Sequence, residues 1–158
     1  EEQKIRREKL DKVKDAFVNF VKENEGNAKV LNSGLKIIPM KNGTQEKPAI
    51  GSKVLVNYAG YFTTGDLFDS NIADVAKLYG KYDPRRDAMG GYNSIPMDYS
   101  PDAALIAGFK EGLQEMNYGD KVLLIIPSHL AYGEQGSRGV IPPNTDLLFE
   151  LEIVDESK

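Results

Sequence analysis

The sequence predicts an α+β domain in which an antiparallel sheet folds over one short helix, preceded by a separate amphipathic helix. Three observations predict this class. Apolar residues recur with a period of two in several segments after residue 31, and one helical stripe interrupts the second half of the chain. The alternating strand and helix units of parallel-sheet proteins are missing. The 158 residues are enough for one domain with an appendage.

The first unit is a helix over residues 1 to about 25, with Gly26 and Asn27 as its stop signal. We expect a helical extension over residues 1–30 that packs on its own domain or joins it to further sequence. A dedicated helix for a partner or for dimerisation is the alternative. Acids and bases are balanced around its apolar stripe, which comprises Leu10, Val13, Phe17, Phe20 and Val21.

Segments of alternating hydrophobicity predict the strands of a domain over residues 31–158. "KVLVNYAGYF" and "LFDS" form two strands around a turn at Gly65. In the last segment, "DLLFELEIV", one face mixes Leu148 with Glu150 and Glu152. This pattern predicts a sheet with one packed face and one largely wet face. The packed face of the last strand comprises Leu147, Phe149, Leu151 and Ile153.

One strong helix is predicted in the second half of the chain. Ser100 is a suitable N-cap, Pro101 suits the first helical position, and Gly119 closes the segment. The apolar stripe of this helix comprises Leu105, Ile106, Phe109, Leu113 and Met116.

A long, less regular stretch lies between Ser70, at the end of the predicted "LFDS" strand, and Tyr99, just before the predicted helix. Two helical turns are expected after Asn71, and "DPRRD" and "GGYN" then read as loop. Connections of this length inside a compact domain are usually functional or mobile. We therefore treat residues 71–99 as an enlarged loop of the domain.

Composition excludes several classes of site. A net charge of −4 gives nucleic acid no electrostatic reason to bind. No apolar run is long enough to span a membrane. The chain has no cysteine and only one histidine, His129, and we expect neither a metal nor a cofactor. The glycines of "AYGEQGSRGVIPPNT" are followed by Pro142 and Pro143 rather than by a helix, which argues against a phosphate loop. Asp69, beside Phe68, is either a strand-end cap or a functional carboxylate.

The motifs of the chain resemble those of a known enzyme family. "VNYAGYFTTGDLFDSN" and "LIAGFKEGLQEMNYGDKVLLIIPSHLAYGEQGSRGVIPPNTDLLFELEIV", in that order, are similar to FKBP-type peptidyl-prolyl cis-trans isomerases. The resemblance covers roughly Gly51 to Val154. It implies an antiparallel half-barrel wrapped around the short helix, with an apolar pocket between them.

The resemblance also implies the residues of that pocket. Asp69, Tyr132 and the backbone N–H of Ile106 would be the catalytic groups. Ile95 and Met97 are candidates for wall positions often held by Phe. The substrate would contact Tyr58, Phe68, Leu105, Phe109 (where many members carry Trp), Val140, Ile141 and Phe149.

The function implied by the resemblance is acceleration of X-Pro bond rotation in folding proteins. The partners would be proline-containing polypeptide clients and macrolide inhibitors. The alternative is a chaperone or partner-binding module that uses the same pocket with little turnover. The chain opens on Glu1 without an initiator Met, which predicts a mature or excised form. The compartment stays open: cytoplasmic or, if a signal was removed, periplasmic or membrane-anchored.

Overall fold

The computed structural model describes residues 1–156. Two 3₁₀ turns, Glu25–Asn27 and Ser128–Leu130, add to the regular elements. The helices are α1 (Glu2–Asn24), α2 (Ala73–Leu78), α3 (Pro84–Ala88) and α4 (Ala107–Leu113). The strands are β1 (Lys29–Val30), β2 (Lys36–Lys41), β3 (Lys53–Phe62), β4 (Leu67–Ser70), β5 (Ile95–Asp98), β6 (Lys121–Ile126) and β7 (Leu147–Ile153).

The sheet is antiparallel throughout and confirms the predicted fold class. Its strand order is β1-β2-β6-β7-β3-β4, and β5 also pairs with β3. The ten-residue β3 accommodates both neighbours on one edge, because β5 pairs with residues 53–56 and β4 with residues 59–61. The 71–99 segment therefore leaves the sheet at the end of β4 and re-enters it as β5, and both strands pair with β3.

The inner face of the sheet packs against α4. Side chains of alternate residues in β3 and β7 meet Phe109 and Leu113 of the helix in the main apolar cluster. Leu113, Leu124, Leu147 and Leu151 are fully buried there. Period-two alternation places Leu147 and Leu151 on one side of β7, as the sequence predicts, and Leu113 meets them from α4.

The outer face is not largely wet, and this part of the sequence prediction is wrong. Phe17, Phe20 and Val21 of α1 pack over a second apolar cluster. The Phe17 and Tyr61 ring centroids lie 4.4 Å apart, and Lys14 forms an ion pair with Asp66 at 2.5 Å. The covered cluster comprises Ile38, Ala59, Tyr61, Leu67, Leu123 and Leu148. The alternation of β7 could not show this, because the covering side chains lie more than 120 residues earlier in the chain.

The α4 helix begins at Ala107, six residues after the predicted start at Pro101. Ser100 does accept a hydrogen bond from a backbone N–H, that of Asp102 at 3.1 Å, but it caps only a turn. The chain then extends at Ile106, where φ is −59° and ψ is 148°, before the helix begins. The local signals for a cap were correct, but the helix itself begins six residues later than they predicted.

The 71–99 segment is more regular than predicted. The expected turns after Asn71 are confirmed as α2. The "DPRRD" stretch, predicted as loop, is α3, with the Asp83 carboxylate accepting a hydrogen bond from the Arg85 N–H at 2.9 Å. An Asp cap followed by Pro at the first helical position is a helix-start signal that the sequence contained. The short β5 was not predicted, and the Pro96 within it suits a strand at the edge of a sheet.

Candidate active site

A cavity of about 590 Å³ opens between the inner face of the sheet and the start of α4. β3, β4 and β5 supply one side, and the segment before α4 supplies the other. Tyr132, from the loop after β6, closes part of the mouth and is 40% exposed. The lining comprises Tyr58, Phe68, Asp69, Ile95, Met97, Ala104, Leu105, Ile106, Phe109, Tyr132 and Phe149.

Aromatic rings form the deep part of the cavity. The Phe149 ring meets Phe109 edge to face at 5.2 Å and Phe68 at 5.4 Å between centroids. Edge-to-face contacts of this kind are favourable and fix the orientation of each ring. Gly60 in β3 makes the arrangement possible, because a Cβ there would lie 2.6 Å from Phe68 and 2.7 Å from Phe149.

One carboxylate stands in this apolar surface. Asp69 accepts a hydrogen bond from the Tyr58 hydroxyl at 2.6 Å and pairs with Arg86 at 2.7 Å, each through a different oxygen. Burial, and then the hydrogen bond to Asp69, raise the pKa of Tyr58 to about 12. The Tyr58 hydroxyl therefore keeps its proton and acts as a donor to Asp69 across the physiological pH range.

Two further polar groups at the cavity have no protein partner. Within residues 1–156, neither the Ile106 N–H nor the Tyr132 hydroxyl donates a hydrogen bond. Ile106 lies just before α4, where the chain is still extended and its N–H is not taken up by the helix. Both groups are available to a carbonyl oxygen of a bound peptide.

The comparisons with known proteins agree on one family. The model of the FKBP-type peptidyl-prolyl cis-trans isomerase family matches residues 44–154. The chain is 33% identical over 122 residues to FK506-binding protein 1 of Dictyostelium discoideum, which covers 77% of this chain and 96% of that protein. The chain belongs to the FKBP-type peptidyl-prolyl cis-trans isomerases.

Bacterial relatives match over a longer part of this FKBP-type chain. It is 31% identical to the peptidyl-prolyl cis-trans isomerase Mip of Coxiella burnetii, over 90% of this chain and 53% of that protein. It is 32% identical to FkpA of Escherichia coli, over 91% of this chain and 45% of that protein. The chain thus spans about half the length of these two relatives.

A solved structure shares the whole architecture. A peptidyl-prolyl cis-trans isomerase from Pseudomonas syringae superposes with a TM-score of 0.62 at 28% identity, and the match covers 93% of this chain and 92% of that one. The family, the fold and the enzyme class predicted from the sequence are therefore confirmed.

The cavity brings together most of the residues that the FKBP resemblance implied. All three proposed catalytic residues, Asp69, Ile106 and Tyr132, line it. So do Ile95 and Met97, which were candidates for the wall. Five residues implied as substrate contacts also line it: Tyr58, Phe68, Leu105, Phe109 and Phe149.

Val140 and Ile141 do not line the cavity. Val140 is 52% exposed and lies on the loop after β6, beside a separate shallow depression. Ile141 is 4% exposed and belongs to the main apolar cluster, which also contains Phe109 and Phe149. Gly133, Gly136 and Gly139 have φ values of 60°, 64° and 75° in this loop, and the next regular element is β7, so the loop lacks the helix N-terminus that a phosphate loop needs.

Arg86 is the site residue that sequence reasoning missed. It lies on α3, within the stretch predicted as loop, and reaches Asp69 across 17 positions of sequence. The helix-start signal at Asp83 and Pro84 would have placed Arg86 on a helix. Nothing local in the sequence indicates that this helix faces Asp69.

A second depression, of about 650 Å³, lies between α1 and the segment around α2. Arg6, Lys9, Asp74 and Lys77 contribute to its walls. Charged walls of this kind do not suit an apolar proline ring. Within residues 1–156 no group of acidic or histidine side chains is arranged to hold a metal ion, and no helix has the length and apolar character needed to cross a bilayer.

Proposed function

We propose that the cavity between β3, β5 and α4 binds an exposed X-Pro segment and lowers the barrier to rotation about its peptide bond. One observation carries this proposal. An aromatic cavity of about 590 Å³ presents the Asp69 carboxylate, held by Tyr58 and Arg86, and two donors that have no hydrogen-bond partner among residues 1–156. Apolar cavities with a few convergent polar groups are the usual form of a small-ligand site.

The physical basis is the electronic structure of the amide. Rotation faces a barrier of about 18–20 kcal/mol because resonance is lost when the bond twists. Water stabilises the planar, strongly dipolar ground state, whereas the twisted amide has a weaker dipole. An apolar cavity therefore binds the twisted form in preference to the planar one. Such differential binding accelerates the reaction without a nucleophile, and each ~1.4 kcal/mol of preference gives about tenfold in rate.

The polar groups have separate roles in this proposal. The Ile106 N–H and the Tyr132 O–H donate to substrate carbonyl oxygens and so orient the peptide across the cavity. Asp69, held by Tyr58 and Arg86, presents a fixed negative potential at the wall. The proline ring lies on Phe109 and against Phe68. Clients would be polypeptides with accessible X-Pro bonds, and the same apolar surface would accept macrolide inhibitors.

A protease-coupled assay with a Leu-Pro or Phe-Pro peptide tests the proposal. We expect Phe68→Ala to lower kcat/KM by at least about tenfold through loss of wall contact, and Tyr132→Phe to lower it several-fold. Tyr79→Phe is the matched control, since it removes a hydroxyl that donates to the Gly65 carbonyl far from the cavity. Unchanged rates in both cavity variants would overturn the assignment. Saturable peptide binding by an inactive wild-type chain would favour the partner-binding alternative.

A further inference from the structure

A run of stacked side chains connects the 71–99 segment to the cavity carboxylate. Lys77 Nζ lies 4.8 Å from the ring centroid of Tyr82. The Tyr82 and Tyr92 rings stack at 5.3 Å with an interplanar angle of 15°. The guanidinium carbon of Arg86 lies 4.9 Å from the centroid of Tyr92. We call Lys77, Tyr82 and Tyr92 the tyrosine stack.

Arg86 is fixed by three contacts of different kinds. Its Nη1 pairs with Asp69 at 2.7 Å, its Nε donates to the Gly91 carbonyl at 3.1 Å, and its planar head lies against Tyr92. A free arginine side chain has many rotamers, and confining it to one of them costs conformational entropy. Contacts that confine the guanidinium before substrate arrives therefore strengthen its hold on Asp69.

The tyrosine stack is itself tied to α3. The Tyr92 hydroxyl accepts a hydrogen bond from the Asp83 N–H at the start of the helix, at 2.9 Å. The Tyr82 hydroxyl donates to the Asp87 carboxylate one residue beyond Arg86. The two rings thus contact the helix on both sides of Arg86 in sequence, which sets the direction in which its side chain leaves the helix.

Gly91 is a second, independent sign that this arrangement is specific. A Cβ at Gly91 would overlap Cγ of Arg86 and lie 3.1 Å from its Nε. The φ of Gly91 lies outside the left-handed region, so backbone conformation does not demand glycine here. The space is taken mainly by the Arg86 side chain, and the Arg86 carbonyl oxygen would also lie 3.0 Å from the added Cβ.

We propose that the tyrosine stack positions Arg86 against Asp69, so that the 71–99 segment sets the geometry of the cavity carboxylate. Lys77, Tyr82 and Tyr92 do not contact the substrate; they act through Arg86. The inference rests on the proposed function, because the position of Asp69 matters for turnover only if the cavity binds the X-Pro segment. It assigns the enlarged segment a role in the isomerase site itself.

The first test replaces the ring that faces Arg86. We expect Tyr92→Leu to lower kcat/KM about five- to tenfold, the range given by losing a partly desolvated cation–π contact. Tyr92→Phe keeps the ring but loses the hydrogen bond that the hydroxyl accepts from the Asp83 N–H, so it should lower kcat/KM by less than Tyr92→Leu, about two- to threefold. A spectroscopic readout accompanies the rates, since the Arg86 Nε–H is hydrogen-bonded and should give a protected NMR signal in the wild type. That signal should persist in Tyr92→Phe and be lost in Tyr92→Leu.

The second test moves Arg86 without removing any charge or ring. Gly91→Ala should displace the arginine and reproduce the loss of rate and of the NMR signal. Gly26→Ala is its matched control, because no atom lies within 4 Å of the position and its φ is not positive. If Tyr92→Leu unfolds the chain, Gly91→Ala provides the same measurement.

A double-mutant cycle decides whether the stack acts through Arg86. If it does, adding Tyr92→Leu to Arg86→Ala should change kcat/KM by less than about twofold, whereas independent effects would multiply. Multiplied losses, or full activity of both Tyr92→Leu and Gly91→Ala, would overturn the inference. An inactive wild type would instead contradict the proposed function, so the two failures are distinct.

Discussion

The two faces of the same sheet are filled to different extents. On the outer face, the side chains of α1 cover Leu148 and Tyr61, and the second apolar cluster is closed. On the inner face, α4 has only seven residues and leaves a cavity of about 590 Å³ beside Phe149. Adjacent residues of one strand, Leu148 and Phe149, therefore take part in a closed core and in a binding surface respectively.

This difference separates stability from function within one sheet. A longer helix on the inner face would bury the aromatic rings and remove the cavity. The outer helix α1, with 23 residues, buries apolar surface of the outer face, whereas part of the apolar surface of the inner face stays open as the cavity. We infer that changes on the outer face should affect mainly the free energy of unfolding, and changes on the inner face mainly kcat/KM.

The largest effect is expected from Leu148→Ala on the outer face. Leu148 is 2% exposed, and truncating a buried leucine costs about 2–5 kcal/mol of stability. Urea denaturation measures this loss, while kcat/KM per folded molecule should stay within about twofold. Leu148→Met, which conserves volume, is the control and should cost less than about 1.5 kcal/mol. A tenfold fall in kcat/KM of the folded variant would show that the faces are coupled.

A smaller effect on stability and a larger one on rate are expected from Gly60→Ala on the inner face. The added methyl would push the Phe68 and Phe149 rings into the cavity. Overpacking of this kind costs about 1–3 kcal/mol of stability, and we expect kcat/KM to fall about tenfold. Gly26→Ala again serves as control. If Gly60→Ala left kcat/KM unchanged and lowered the free energy of unfolding as much as Leu148→Ala does, the two faces would not differ in the way we infer.

The smallest effect concerns the half-buried Glu150 on the outer face. Burial raises the pKa of its carboxyl more than Lys121, at 3.7 Å, lowers it. The folded-state pKa of Glu150 therefore lies above the unfolded value of about 4.3. The group contributes most to stability below about pH 4.3, and this contribution is lost as the pH rises through the folded-state pKa. At neutral pH the ionised carboxylate is therefore a net cost. Glu150→Gln should raise Tm by about 1–2 °C at pH 7, and by less at about pH 4.

Glu152→Gln is the control for this pH dependence. Its side chain lies on the same face but is 32% exposed, against 17% for Glu150. Because Glu152 is more exposed, we expect Glu152→Gln to change Tm at pH 7 by less than Glu150→Gln does. Equal changes in the two variants would mean that burial is not the cause.

The principal strands, the long first helix and the family could be predicted from the sequence, whereas the short β5 could not. Alternation in β3 and β7 is a property of consecutive residues, so it could be read without knowing any contact. The family motifs also led to most of the cavity lining, including Asp69, Phe68 and Tyr132. Turn chemistry was visible at Ser100 and at Asp83, although the first was extended into a helix too early and the second was overlooked.

What covers each face of the sheet depends on contacts between segments that are distant in sequence. Phe17 approaches Tyr61, and Arg86 approaches Asp69, because the sheet and its connections bring distant segments together. Exposed and buried positions of α1 differ little in local pattern, since Ile5 is 62% exposed while Phe17 is partly buried on the sheet. Local periodicity shows which side of a helix or strand is apolar, whereas long-range contacts determine which other element covers that side. The cavity exists because α4 covers the inner face only in part, and the extent of that cover depends on several segments together, so it cannot be predicted from any one of them.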